Sequence, residues 1–473
     1  MMIYHLSRRP LVISSILLLA AALNPLTAAD VRVTDIGTIN GRNSSGQAIN
    51  AAGDVAGVSS FYFAPPNGPV ILHAVLYSDG MLRDLGALNG YATCSPLLGC
   101  ESWALGINSS KWIVGSNSGD AALLAFAWLP VAVPGATAGF NVLPMLSTTP
   151  GTTEATAIND AGVIVGDTTP DGVGPRPVRW QLGPSGFSID DLGTLRVDSG
   201  GYGIATGING KGQIVGSATV DGYNFQQAFL YLPKPAYGFS AGMHNLMAGR
   251  TVEGTAQGIN QRGQVVGTAS GGAWIWLPTP AYGLPAGLSM LPLTNRRGGQ
   301  PSRKITKFSP TGISDVGQVV GQAKVFMSCP PWVGGGNFSF PVGPCDVTEP
   351  AVWRNGQWTM LNDLLPPESP WSLVQALAIA HKGQTTRITG PGLLAGVTDT
   401  DGNTPAAHGY VLTVFCGGDL DGDGAVDQKE LRELSRQHGQ RVPPGTGGDL
   451  TGDGPVDGRD FRVLAAQSDT PCL

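Results

Sequence analysis

Seven times the chain writes a variant of one phrase: a small residue, Ile-Asn, two turn residues, Gly, then a β-branched run ending in Gly. The copies centre on Ile49-Asn50, Ile107-Asn108, Ile158-Asn159, Ile208-Asn209, Ile259-Asn260, Ile313-Ser314 and a decayed Ile379-Ala380. The steps between these isoleucines are 58, 51, 50, 51, 54 and 66 residues. A period near 50 residues marks an architecture of stacked supersecondary units, none of which can bury its apolar face alone.

Within a unit the order of parts is constant. A run of small residues ends in Ile-Asn, as in Ala205-Thr206-Gly207-Ile208-Asn209. Asn opens the turn through its side chain and Gly supplies the positive φ that closes it. A β-branched run such as Gln213-Ile214-Val215-Gly216 follows, then one that ends in an aromatic, as in Ala125-Phe126-Ala127-Trp128. A fourth run carries Asp-Leu-Gly, at Asp84-Leu85-Gly86 and Asp191-Leu192-Gly193. Four short strands per unit make a blade, and blades around an axis make a β-propeller.

The two ends of the repeat region point to a closed ring. The seventh unit finishes at His408-Gly409-Tyr410-Val411-Leu412 without an Asp-Leu-Gly strand, and the N-terminal side holds a spare one, Asp35-Ile36-Gly37-Thr38-Ile39. Closure would join them and remove an exposed edge. The expected fold is all-β: a seven-bladed β-propeller over residues 30–415, followed by a small helical module over residues 416–473. The small residues before Ile-Asn belong on the crowded innermost strands, and the third-strand aromatics read as packing between blades.

Gly accounts for 69 of the 473 residues, which suits a chain of tight turns, and only 13% of residues are charged. A net charge of −6 with no basic run argues against a nucleic-acid partner. Residues 1–29 read as an export signal, with Arg8 and Arg9 before the apolar run Leu11–Leu23 and a small-residue cleavage site at Thr27-Ala28-Ala29. That run is too short to span a membrane, so the mature chain is expected without a span and secreted, extracellular or periplasmic in a bacterium. Ser7-Arg8-Arg9 weakly resembles a twin-arginine signal, which leaves the export route open. Six cysteines in an exported chain imply disulfides. Locality favours Cys94–Cys100, Cys329–Cys345 and Cys416–Cys472, although spacing alone leaves the connectivity open.

The His73-Ala74-Val75-Leu76-Tyr77 and Asp84-Leu85-Gly86-Ala87-Leu88 phrases, with the recurring Gly-Ile-Asn-x-x-Gly-x-Val-Val-Gly, resemble the HAF repeat of bacterial extracellular proteins. The likeness covers about residues 31–414. It implies an exported repeat protein and brings no catalytic residue or ligand with it.

Residues 416–473 change character. Asp419 to Glu430 fit a twelve-residue calcium loop. Asp419, Asp421 and Asp423 supply oxygens at positions 1, 3 and 5, and Gly424 makes the sharp turn. The Ala425 carbonyl serves at position 7, Asp427 acts through water at position 9, and Glu430 is bidentate at position 12. A second loop runs through Asp449, Thr451, Asp453, Gly454, Pro455, Asp457 and Asp460. Its Ca2+ is expected to bind more weakly, because Thr451 is neutral and Asp460 is shorter than Glu. Pro455 is compatible, since position 7 uses only a carbonyl. Gly- and Pro-rich segments precede both loops, so neither has an entering helix. Each is followed by one, Gln428–His438 and Gly458–Gln467. Two loop–helix units of this kind resemble a type I dockerin domain, which implies a cohesin-like partner. At loop positions 10 and 11, where cellulosomal dockerins often carry Ser-Thr, this chain has Gln428-Lys429 and Gly458-Arg459.

Gly238-Phe239-Ser240-Ala241-Gly242 matches a nucleophile-elbow pattern. The neighbouring repeat places Pro285 where this one has Ser240, so Ser240 reads as a loop residue, and no catalytic residue is assigned. Two cysteine-bearing insertions, residues 89–103 and 322–349, are expected on one face of the ring, as a recognition face. The sequence therefore describes an exported, non-enzymatic binding or scaffold protein. Its propeller loops would meet a protein or surface glycan, and its C-terminal module would provide attachment. The alternative is an extracellular propeller enzyme acting on polysaccharide.

Overall fold

A computed structural model describes residues 30–39, 43–62, 70–88, 101–118, 123–147, 151–170, 174–196, 200–222, 225–294, 304–328, 344–398, 405–415, 418, 420, 428–442, 448–451 and 454–467. The chain divides into two compact units, one spanning Val31–Phe415 and one that holds Cys416–Cys472. The first is a seven-bladed β-propeller of antiparallel sheets. Six blades run in simple up-and-down order, the first as Ser44–Ile49, Val55–Tyr62, Val70–Ser78 and Met81–Gly86. The innermost strands of the next five are Glu101–Ile107, Thr153–Ile158, Gly203–Ile208, Gly254–Ile259 and Lys304–Ile313.

The seventh blade closes the ring. Its inner strand is broken into Trp371–Leu373 and Ala378–Lys382, both paired with Thr385–Thr398. Pro405–Phe415 follows, and the N-terminal strand Asp30–Asp35 is outermost. The spare strand therefore completes the last blade, shifted toward the N-terminus: Asp35 ends it and the Ile36 amide donates to the Gly409 carbonyl at 3.0 Å. The closing seam repeats the seams elsewhere. Ser44 Oγ accepts from the Gly409 amide (2.9 Å) and donates to the Gly37 carbonyl (2.6 Å). Ser102 Oγ does the same one blade on, with the Ala74 amide (2.8 Å) and the Gly86 carbonyl (2.6 Å).

The Asp-x-Gly phrase ends the outermost strand as an Asx-type turn. Asp35, Asp84 and Asp191 each accept from the amide two residues on, at 2.8 Å. Those amides belong to Gly37, Gly86 and Gly193, all with φ near +80°. The same carboxylates take a nitrogen side chain from the start of the third strand: His408 on Asp35 at 2.8 Å, His73 on Asp84 at 3.0 Å and Arg176 on Asp191 at 3.1 Å. Burial pushes the Asp35 and Asp84 carboxyls up, but the hydrogen bonds from histidine and glycine outweigh it and hold both below the usual carboxylate range.

Packing lies between blades. One apolar cluster joins Val114, Leu129 and Leu143 of the second blade to Ile164, Val178 and Trp180 of the third. Another joins Leu230 and Met247 of the fourth to Val265 and Trp274 of the fifth. The third-strand aromatics Trp128, Trp180, Trp276 and Trp353 are buried in such clusters.

The glycine that ends each second-strand phrase has a steric cause. In all six regular blades the innermost strand carries a β-bulge, for example between Ala205 and Gly207. The bulge turns a carbonyl under the neighbouring strand. A Cβ on Gly216 would lie 2.0 Å from the Ile204 carbonyl oxygen and 2.8 Å from the Phe229 ring. Gly207, by contrast, has its nearest neighbour, Val215, at 3.4 Å, and Ala48 and Ala157 occupy its place in other blades. Gly216→Ala should therefore destabilise by about 3 kcal/mol and Gly207→Ala by less than about 0.5 kcal/mol in denaturant titrations. Equal effects would refute the bulge explanation.

Candidate functional site

The repeated Ile-Asn phrase builds a belt around one end of the ring. Each Asn side-chain oxygen accepts from backbone amides of its own turn, as Asn209 does from Lys211 (3.0 Å) and Gln213 (3.1 Å). Its amide nitrogen donates to the carbonyl of the equivalent residue in the next blade. The series runs Asn50 to Asn108 (3.1 Å), Asn108 to Asn159 (3.2 Å), Asn159 to Asn209 (3.0 Å), Asn209 to Asn260 (2.9 Å) and Asn260 to Ser314 (2.9 Å). Bulge residues add a second tier: Thr156, Thr206 and Thr311 donate to Ala205, Ala256 and Ala376 of the following blade. The five asparagines and Ser314 are buried. The most regular polar residues of the chain are thus spent on joining blades.

Ser240 lies where the repeat comparison places it, exposed in the link between third and fourth strands. Its carbonyl accepts from His244 Nε2 at 2.8 Å, and no strand-to-helix elbow surrounds it. On the belt side a shallow cleft of about 390 Å³ opens among Asp54, Asp79, Lys111 and Arg387. Its charges neutralise one another: Lys111 Nζ lies 3.1 Å from Asp79 and 3.5 Å from Asp54.

The described strand ends that lead into the 2–3 and 4–1 connections point away from the belt. Residues 89–100 and 329–343, and the side chains of all the cysteines, fall outside the described residues, so the disulfide expectations do too. The base of the second insertion is a sheet rather than a loop. Val319–Ser328 and Pro344–Arg354 stay in register out to Ser328 opposite Pro344, and Lys304–Ile313 lengthens beside them. The sixth blade therefore rises beyond the ring on that side.

One polar pair was missed in the sequence. Glu154 and Asp167 stand directly opposite each other on the first two strands of the third blade. The equivalent pairs elsewhere include Ser45 with Val58, Ile204 with Ser217 and Thr255 with Thr268. The signal was present as two acids at repeat positions that are otherwise uncharged, but pairing them requires the bulged register. Burial and the adjacent Glu154 push the Asp167 carboxyl up to about 7, and burial raises Glu154 as well. The folded state therefore keeps a proton on Asp167 that the unfolded chain releases above about pH 4. Its contribution to stability is fully present below that pH and is lost as pH rises through about 7. Asp167→Asn should gain about 2 kcal/mol at pH 8 and almost nothing at pH 4. Parallel wild-type and variant stability profiles across that range would contradict it.

In the second unit, helices α1 (Gln428–Gln437) and α2 (Gly458–Gln467) follow the two acidic loops, and Leu434, Val456 and Leu464 form their core. Of the first loop's residues, Asp419, Asp421, Asp423, Ala425 and Asp427 fall outside the described residues, as does Asp453 of the second. Glu430 is buried at 1% exposure. The second loop brings its first and twelfth positions together. Asp449 accepts from the Gly454 amide at 2.8 Å, and Asp460 accepts from the amides of Thr451 (3.0 Å) and Asp457 (2.7 Å). The Thr451 hydroxyl bridges both carboxylates, at 3.2 and 3.1 Å. Asp449 and Asp460 are 2% and 0% exposed. Two buried carboxylates linked by one hydroxyl suit a hard cation, which would offset the cost of dehydrating them. Asp457 instead pairs with Arg459 at 2.8 Å. Among the described residues no three acidic, histidine or cysteine side chains converge as a metal site.

No family model and no curated protein matches the chain. Solved structures similar to it include one from a structural and mechanistic analysis of two prolyl endopeptidases, at 11% identity and a TM-score of 0.40, over 78% of this chain and 50% of that one. The β-propeller domain of the Trilobed protease from Pyrococcus furiosus is similar at 8% identity and a TM-score of 0.35, over 78% and 95% of the two chains. Polysaccharide lyase Uly1 is similar at 10% identity and a TM-score of 0.34, over 82% and 100%. The chain spans half the length of the first of these. The likeness is one of fold. No described helix is long and apolar enough to cross a membrane.

Proposed function

We propose that the protein is an exported binding protein of the HAF-repeat type. Its propeller recognises a surface partner, and residues 416–473 form a dockerin-like module that holds Ca2+ and attaches the protein. The observation that carries this reading is the sixth blade, whose strands continue past the ring into a sheet with one exposed face, while the recurring polar residues are buried in the belt. Calcium in the second loop would be held by Asp449 and Asp460, with Thr451, Asp453 and the Pro455 carbonyl. In the first loop Glu430 would join Asp419, Asp421, Asp423, Asp427 and the Ala425 carbonyl.

A second reading, an extracellular enzyme acting on polysaccharide, is favoured by the adjoining Glu154 and Asp167 carboxyls. Incubating the full chain with cell-wall fractions separates the two. A binding protein is retained on them and releases no soluble sugar. Sugar release that Asp167→Asn abolishes would establish the enzyme instead.

A further inference from the structure

The raised part of the sixth blade has two unlike faces. Ile305, Phe308, Ala323 and Val325 are buried in an apolar cluster with Leu277 and Leu291 of the fifth blade. The other face is a grid set by the register. Lys304, Phe326 and Asp346 form one row across three strands, and Lys307, Lys324 and Thr348 the next. Directly opposed residues share a face, with strands about 4.8 Å apart and rows about 6.8 Å apart. All six are exposed, Phe326 at 43%. Lys324 pairs with Asp346 at 2.5 Å, which leaves this small area with a positive excess from Lys304 and Lys307. The chain as a whole carries −6. Three of its eight lysines stand on this one grid.

We infer that this face binds a carboxylated polysaccharide, a chain of uronate-type sugars lying across the two rows. The inference rests on the binding-protein reading and deepens it. Lysine ammoniums are compact point charges on flexible stems, able to meet carboxylates that repeat along an extended chain without a fixed bidentate geometry. Phe326 gives a flat apolar surface among the cations, to which a pyranose ring can present its C–H face while Thr348 and the lysines meet its polar rim. An acidic peptide could satisfy the charges but has no ring for the phenylalanine. Lysines on exposed strands also deter self-association, and that role alone requires no ligand.

The test uses the full chain and affinity electrophoresis in gels that contain polygalacturonate, neutral dextran or poly-glutamate. Polygalacturonate should retard the protein, dextran should not, and poly-glutamate should act at least about tenfold more weakly. The triple variant Lys304→Gln, Lys307→Gln, Lys324→Gln should lose binding about 30-fold, and Phe326→Ala about tenfold. Salt should weaken the lysine-dependent part as it screens exposed charge. Unchanged melting of the propeller keeps a loss of binding distinct from a loss of fold. Equal retardation by poly-glutamate, or an unaffected triple variant, overturns the inference. So does failure of the wild type to bind polygalacturonate. Retention on cell-wall fractions in that last case would leave the binding-protein reading standing and remove only its ligand.

Discussion

Asn209→Ala should destabilise the propeller by about 3 kcal/mol, far more than a polar-to-alanine change normally costs. The side chain is 1% exposed. It accepts from two amides of its own turn and donates to Gln213 Oε1 at 2.8 Å and to the Asn260 carbonyl at 2.9 Å. Alanine removes the partner of the Asn260 carbonyl and of the buried Gln213 backbone amide, at about 1–3 kcal/mol for each that water cannot reach, while Gln213 Oε1 keeps the Tyr237 hydroxyl at 3.1 Å. The sixth blade supplies a natural control. There Ser314 accepts from the Gln318 amide at 3.1 Å and donates to Gln318 Oε1 at 2.8 Å. The reach to the seventh blade passes to Gln318, whose amide meets the Thr386 hydroxyl at 2.9 Å. Asn209→Ser should accordingly cost about half as much as alanine, because it keeps the turn and loses the inter-blade bond. Asn159→Ala combined with Asn209→Ala should depart from additivity, since Asn159 donates to the Asn209 carbonyl. Denaturant unfolding of the four variants measures this. A cost below about 0.5 kcal/mol for alanine would mean that the belt is decorative.

That belt explains how much of the fold could be read in advance. The Ile-Asn phrase repeats because five copies make the same bond to the next blade, with Ser314 and Ala380 in its place in the other two, so its count is the number of blades. The Asp-Leu-Gly phrase repeats because it ends the outermost strand, and its surplus copy at Asp35 located the closure. The break between Trp371–Leu373 and Ala378–Lys382 was not legible, because the seventh copy had lost its Asn and the belt there passes through other side chains. The Glu154–Asp167 pair escaped for a different reason. Its members are thirteen residues apart and meet only through a register that the bulge shifts. The lysine grid is of the same kind: Lys304, Lys307 and Lys324 look scattered until three strands run in register. Repetition exposes what every blade shares, whereas function resides in what one blade adds, and placing that requires the cross-strand register.

The second large effect is expected from calcium. At a hundredfold excess over its dissociation constant, a bound ion adds about 2.7 kcal/mol per site to whatever it stabilises. Among the described residues the core under the two loops is small: Leu434, Val456 and Leu464 are buried, with Leu420, Val442, Leu450 and Phe461 partly buried against them, so that increment is a large share of what holds the module. Chelation of the full chain should therefore melt residues 416–473 at a lower temperature and leave the propeller transition in place. The loops should separate by mutation. Glu430→Gln would remove the proposed bidentate ligand of the first and should produce most of the chelation effect. Asp460→Asn acts on the second, where the native carboxylate already receives the Thr451 and Asp457 amides. It should lower affinity there and leave the first loop intact. Hydrogen exchange at α1 and α2 distinguishes the two, because each helix starts at the last ligand positions of its own loop. Identical protection of both helices with calcium and with chelator would exclude the metal assignment, and the module would then rest on its apolar core alone.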